Sequence, residues 1–434
     1  MKKNYILFVT LLIILLSSCS EDDNEISKDT NAAMPNILLI IADDMGKDAT
    51  AGFSEGNIKP STPNINSIKN NGITFNNFWV YPTCTPTRAS IITGKYGYRT
   101  NVKQVNDALD NSETILHKYI NQQSNDAYAT ALVGKWHLSG NEAKINNPEI
   151  LGMDYFAGLM KGATQDYYQW ILAENDKETN QTEYITEKFT DLAIDWIDKQ
   201  DKPWFLWMAY TAPHTPFHNP PSNIHSQGDL GDYSQGMNAM PYYMAAIEAM
   251  DFQIGRLLEN IPDSERDNTI IIFIGDNGTP NQVTQSPYSN SKAKGSLYQG
   301  GINTPLFVSG QGVTRIGQED DNLITSTDLF ATIAQIAGNS KLEINDSKSF
   351  KSLFTESLGI RDFQYSEMDD SNSNNLWTIS DGEYKLIVNA NGNKEMYNLL
   401  SDPYEGYDLL LGTLNGLQQT AKTGLENELV KIRQ

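Results

Sequence analysis

The residues able to do chemistry gather at the ends of four apolar runs. Asp43 and Asp44 close "NILLIIADDM" (36–45), and Asp276 and Asn277 close "TIIIFIGDNG" (269–278). These two pairs offer only oxygen donors. Such a set suits a hard cation such as Ca2+ or Mg2+, whereas Zn2+ favours His and Cys. Either pair alone is an ordinary strand-to-loop turn, where Asp and Asn are common. Two pairs at the ends of two strongly apolar runs favour a metal. Lys135 and His137 close "ATALVGKWH" (129–137), and His214 closes "WFLWMAYTAPH" (204–214). Both histidines are candidate bases or anion ligands.

A further reactive group is Cys84, in "YPTCTPTRASIITGKYGYRT" (81–100). Pro86 and the run after it predict a helix starting just past Cys84, with proline in its first turn. A helix N-terminus attracts anions and lowers a thiol's pKa. Arg88, one turn on, directs its guanidinium at whatever residue 84 carries. The flanking Thr, Pro and Arg argue against an inert core cysteine. Of the other histidines, His117 sits in a helical pattern and reads as structural. His218 and His225 lie in a proline-rich loop.

Four runs with polar ends need strands to align them. Amphipathic helical patterns at 183–200 and 242–261 lie between the runs. Strands alternating with such helices give an α/β sheet covered on both faces. In open α/β sheets ligands bind beyond the carboxyl ends of the strands, where all four runs put their polar residues. From about residue 340 the texture changes. "DGEYKLIVNANGNKEMYNLLSDPYEGYDL" (381–409) predicts two short antiparallel strands around a turn, followed by a last helix. The expected organisation is a signal peptide at 1–18, a tether at 19–34, a catalytic domain at 35–340 and a C-terminal subdomain at 341–434.

The first residues are not fold. Lys2 and Lys3 precede a short apolar run that breaks at "SSCS", the pattern of a secretory signal. The run is too short for a membrane span. "LSSC" (16–19) resembles a bacterial lipoprotein cleavage box, making Cys19 a lipidated first residue followed by an acidic tether. The expected location is therefore outside the cytoplasm, at the cell surface or facing the periplasm, held to the membrane only by the lipid. With Cys19 lipidated, Cys84 has no disulfide partner. The net charge of −22 argues against nucleic acid, which needs a basic stripe. An anionic substrate then needs a local cationic pocket.

"CTPTRASIITGKYGYRT" resembles the C-x-P-x-R signature of the type I sulfatases. "NILLIIADDMG", "GKWHL", "PHTP", "IIFIGDNG", "KGSLYQGGINTP" and "DGEYKLI…MYNLLSDPYE" resemble that family's further motifs, in order, from about residue 35 to 410. The resemblance implies the alkaline phosphatase-like fold: a large mixed, mostly parallel sheet flanked by helices, with a smaller C-terminal subdomain of short antiparallel strands and a helix. It implies that a formylglycine-generating (sulfatase-maturing) enzyme oxidises Cys84 to formylglycine. The hydrated aldehyde attacks sulfur with one hydroxyl, and the second then expels sulfate. Asp43, Asp44, Asp276, Asn277 and residue 84 hold one Ca2+. Arg88 and Lys135 hold the diol and the developing charge, His137 assists elimination, and Lys294 and His214 bind sulfate. One of the latter pair protonates the leaving oxygen. There are departures: Gln299 replaces the usual Glu, Ser139 follows "GKWHL", and "GYRTNV" lacks a common glycine. The expected substrate is a sulfated polysaccharide or its oligosaccharides. Segments 155–170 and 279–292 are expected to shape its subsite, with Tyr167, Tyr168 and Trp170 as candidate sugar platforms. The alternatives are a phosphodiesterase or phosphonate monoester hydrolase of the same superfamily, and a non-catalytic glycan-binding lipoprotein.

Overall fold

The run from Asn36 to Ala42 has no polar residue after its first position and is rich in isoleucine and leucine, the composition of a strand buried on both faces. It forms β1 (Asn36–Ala42), and every residue of it is buried. This computed structural model describes residues 34–434 apart from 142, 143, 371 and 373. The signal, Cys19 and all but the last residue of the tether lie outside the described residues.

Nine more strands join β1. They are β2 (Gly72–Phe75), β3 (Ala129–Lys135), β4 (Tyr155–Leu159), β5 (Trp170–Glu174), β6 (Lys177–Gln181), β7 (Trp204–Ala209), β8 (Thr269–Gly275), β9 (Leu306–Gly310) and β10 (Gln318–Asp320). Their order is β10-β2-β9-β8-β1-β7-β3-β4-β5-β6. The five central strands, β8 to β4, run parallel, and β9 and β5 pair antiparallel at either side. The sheet is thus mixed and mostly parallel, as the alternation of runs and helices implies.

The period of two in β1 divides the core. Ile37, Leu39 and Ile41 pack with helices α1 (Cys84–Thr93), α2 (Leu116–Ser124) and α5 (Asp328–Ile336) on one side of the sheet. Leu38, Ile40 and Ala42 pack with α3 (Ile185–Ile197) and α4 (Met240–Asn260) on the other. Both faces are covered, which strands this apolar require.

Register does the positioning. Ala42 pairs with Gly275 and Ile41 with Ala209, while Gly134 also pairs with Ala209. The chain therefore leaves β1, β8, β7 and β3 along one edge, with Asp43, Asp276, the loop to His214, and Lys135 side by side. Beyond the main sheet, β11 (Gln364–Asp369), β12 (Asn375–Ser380), β13 (Tyr384–Val388) and β14 (Lys394–Asn398) form an antiparallel sheet backed by α6 (Gly416–Ile432). The sequence pattern predicts only its last two strands. Ser366, Glu367, Thr378 and Ser380 are buried in the first two, so polar side chains hide their alternation.

Gly134 in β3 sits at φ +119°, and a Cβ there would lie 1.9 Å from the Ala209 carbonyl oxygen of β7. Gly134→Ala is expected to spread β3 from β7 and cost roughly 2 kcal/mol or more. A thermal unfolding midpoint equal to the parent's would overturn this reading of the close approach.

Candidate active site

Asp43 and Asp44 leave β1, and Asp276 and Asn277 leave β8 beside them. Asp44 turns at φ +73°. Its N–H donates to Asp276 Oδ1 at 3.1 Å, and Asn277 Nδ2 donates to Asp44 Oδ1 at 2.8 Å. Tyr243 of α4 donates its hydroxyl to the Asp44 carbonyl from below at 2.7 Å. All four side chains are buried.

Three cations close on these carboxylates. Arg88 of α1 donates to Asp276 Oδ2 at 2.8 Å and to the Lys135 carbonyl at 2.8 Å, and lies 3.8 Å from Asp43. Lys135 Nζ donates to Asp43 Oδ2 at 2.5 Å, and Lys294 Nζ to Asp44 Oδ2 at 2.6 Å. Burial and the neighbouring Asp43 push Asp276 up to about 6, against Arg88 and Lys135. Burial also acts to raise Asp44, but Lys294, His214 and Lys135 together hold it well below the usual carboxylate range. Burial lowers Lys294, yet Asp44, residue 84 and Asp43 together outweigh it and the ammonium is held above its ordinary value.

Cys84 is the first residue of α1, a free, buried thiol. Its Sγ lies 3.3 Å from His137 Nδ1, and His137 Nε2 lies 3.0 Å from Asn106 Oδ1. An amide oxygen only accepts, so Nε2 carries the hydrogen and Nδ1 turns its lone pair to residue 84. His137 sits at φ +58°, a strained backbone for a non-glycine residue. Burial, then Lys135 and Arg88, keep its imidazole neutral. The sequence reading that the helix start lowers the thiol pKa is corrected here. Burial raises it, and Lys135 does not offset that. As a plain thiol, residue 84 is a poor nucleophile.

His214 donates Nδ1–H to the Thr215 carbonyl at 2.7 Å, and its Nε2 lies 3.7 Å from Asp44 Oδ2. Burial lowers it to about 4. One atom each of Asp43, Asp44 and His214 fall within 4.8 Å of one another. Asp43 Oδ1 and Asn277 Oδ1 are buried without a hydrogen-bond partner. Orphaned buried oxygens are costly unless something satisfies them, and a hard cation fits this donor set.

The structure thus brings together Asp43, Asp44, Cys84, Arg88, Lys135, His137, His214, Asp276, Asn277 and Lys294. It leaves others apart. His117 is buried 4.7 Å from the Phe205 ring in the core. His218 stacks 3.6 Å from Tyr167, and His225 bonds the Pro220 carbonyl. Tyr167 is a buried packing residue, Trp170 is buried in the wall of a groove beside β4 and β5, and Tyr168 bonds the Asn219 carbonyl.

Two supports escape the sequence reading. Asn106 sits in a polar loop with no motif to mark it. Glu405 has a signal in "DPYE" but no visible role. It is buried, accepts from Lys385 Nζ at 2.6 Å and from the Gln299 N–H at 2.7 Å, and so ties the second sheet to the segment carrying Lys294. That segment also reaches the loop before Cys84, since the Gly295 N–H donates to the Pro82 carbonyl at 2.9 Å.

The Sulfatase family model matches residues 35–339. An "Uncharacterized sulfatase YdeN" of Escherichia coli K12 is 29% identical over 365 residues, 70% of this chain and 62% of that protein. Mouse arylsulfatase G is 25% identical over 376 residues, 73% of this chain and 68% of that protein. The chain therefore spans about two thirds of the length of these relatives. Among solved structures, Ps i-CgsB in complex with k-i-k-neocarrahexaose superposes with a TM-score of 0.77 at 23% identity, covering 92% of each chain. That likeness shows the fold.

Glu405→Ala strands the fully buried Lys385 ammonium and is expected to cost about 3–5 kcal/mol. Denaturant unfolding measures it. Replacing both partners by Leu and Met should recover most of the loss, and a double variant no better than the single one contradicts the pairing.

Proposed function

The chain belongs to the sulfatase family, and on that basis we propose that it hydrolyses sulfate esters of a sulfated polysaccharide or its oligosaccharides. Residue 84 acts as the nucleophile after a maturing enzyme oxidises Cys84 to formylglycine. Asp43, Asp44, Asp276 and Asn277, together with residue 84, would hold one Ca2+. The observation that carries this reading is the convergence of ten polar side chains on one buried edge, two of them with unpartnered oxygens.

The charges support it. Asp43, Asp44 and Asp276 against Arg88, Lys135 and Lys294 give three negative and three positive groups, a sum of zero. A divalent cation makes the pocket net positive, as an anionic ester requires inside a chain of net charge −22. When bound, the cation polarises the nucleophile and a sulfate oxygen. The hydrated aldehyde supplies one hydroxyl for attack on sulfur and a second for release of sulfate.

The chain's own groups do the rest. Arg88 and Lys135 border residue 84 and stabilise negative charge that develops there. His137 Nδ1, held by Asn106, receives a proton from residue 84. Lys294 and His214 grip the sulfate. His214 keeps its hydrogen on Nδ1, bonded to Thr215, so Lys294 is the member of that pair with a proton facing the site. The substrate class is supported by the shared fold with Ps i-CgsB, whose complex contains neocarrahexaose.

The test uses protein co-expressed with a formylglycine-generating enzyme. The peptide containing residue 84 should have lost its thiol mass for that of an aldehyde, and p-nitrophenyl sulfate should be hydrolysed. Cys84→Ala is expected to lower kcat at least about a thousandfold. EGTA should remove activity and Ca2+ restore it. An intact thiol in fully active protein, or faster turnover of p-nitrophenyl phenylphosphonate than of the sulfate, sinks the reading.

We further propose export and lipid anchoring through Cys19, supported by the "LLIILLSSC" run. Radiolabelled palmitate should enter the chain in its bacterial host and not the Cys19→Ala variant. Equal labelling of both would refute the anchor.

A further inference from the structure

A groove of about 700 Å³ opens beside the catalytic histidine, in the size range of ligand pockets. Its wall runs from the end of β4 into the turn at 160–165. The Met160 carbonyl accepts the His137 N–H at 3.2 Å. Gly162 lies against the imidazole itself, since a Cβ there would sit 2.2 Å from His137 Nε2. Lys161 is the residue before that glycine. The segment that touches His137 thus also supplies the groove wall, through Met160, Lys161 and Ala163.

Its lining has an unusual charge for this molecule. Among the described residues, Lys144 and Lys161 line it with the single carboxylate of Glu178. Among the described residues neither lysine forms an ion pair, although the chain carries 54 acidic side chains against 32 basic ones. Asn141, Gln165 and Gln169 add amide donors and acceptors, the groups that suit sugar hydroxyls.

We propose that this groove is a subsite for the sugar units next to the one being desulfated, and that Lys144 and Lys161 pair with a second anionic group on the same glycan. This rests on the sulfatase reading and deepens it: the substrate is polyanionic, carrying sulfate or carboxylate groups beyond the one cleaved. Two ammonium groups beside an amide-rich surface read a charged sugar chain and give little to a neutral one.

The experiment uses full-length matured protein. Dextran sulfate oligomers should inhibit p-nitrophenyl sulfate turnover competitively, and uncharged dextran should not. Lys144→Gln/Lys161→Gln should raise the dextran sulfate inhibition constant about tenfold, with kcat/KM for p-nitrophenyl sulfate unchanged, because the small ester does not reach the groove. Lys422→Gln/Lys431→Gln, on the C-terminal helix, is the control for general surface charge. Polygalacturonate oligomers in place of dextran sulfate distinguish carboxylate from sulfate recognition. Equal inhibition of parent and groove variant, or an equal loss in the control pair, overturns the subsite. If the parent does not cleave p-nitrophenyl sulfate, the sulfatase reading fails instead. Calorimetric binding of dextran sulfate to the same three proteins then decides the groove by itself.

Discussion

Buried charge is the constraint on which the rest depends. Three carboxylates and three cations meet at the edge of the main sheet, and five of these six side chains are almost fully shielded from water. Each would be costly alone, and removing one partner of such a set typically costs several kcal/mol. Rigid neighbours are therefore required. Parallel strands with short register offsets provide them: Ala42 opposite Gly275 sets Asp43 beside Asp276 within one residue. The apolar runs hold the strands, and the strands hold the charges at distances where each is satisfied.

The same burial governs residue 84. A helix start and two nearby cations would ordinarily favour a thiolate. Desolvation outweighs them, and Asp43 and Asp276 add to it. The unmodified thiol is kept protonated and quiet between Thr83 and Thr85. A group that draws its reactivity from hydroxyls, and not from a thiolate, suits this pocket better. His137 fits that role, since its free lone pair faces residue 84 and its charge is suppressed.

Much of this was legible in the sequence because the residues of the site sit at strand ends, and long apolar runs are the clearest signal a chain carries. Asp43, Lys135, His214 and Asp276 each follow such a run. What stayed hidden lacked that context. Asn106 lies in a loop whose residues obey no period. Glu405 follows a recognisable turn, but its partner Lys385 is nearly a hundred positions from the lysine segment they jointly steady. The first strands of the second sheet bury serine, threonine and glutamate, so their pattern reads as polar. Tyr167 looks like a platform in the sequence because aromatic composition cannot say which face is covered.

Long-range and short-range electrostatics pull in opposite directions here. A net charge of −22 repels a polyanion at distance. Yet salt confines such repulsion to about 8 Å at physiological ionic strength, whereas buried pairs are screened far less. A polyanion therefore feels the acidic surface weakly until it is near. There the relevant charges are those within a few ångströms: Arg88, Lys135 and Lys294 at the end of the sheet, and Lys144 and Lys161 in the groove. An acidic exterior then acts as a filter. It penalises loose adsorption of polyanions across the surface and leaves the edge with Arg88, Lys135 and Lys294 as the place where approach is favourable.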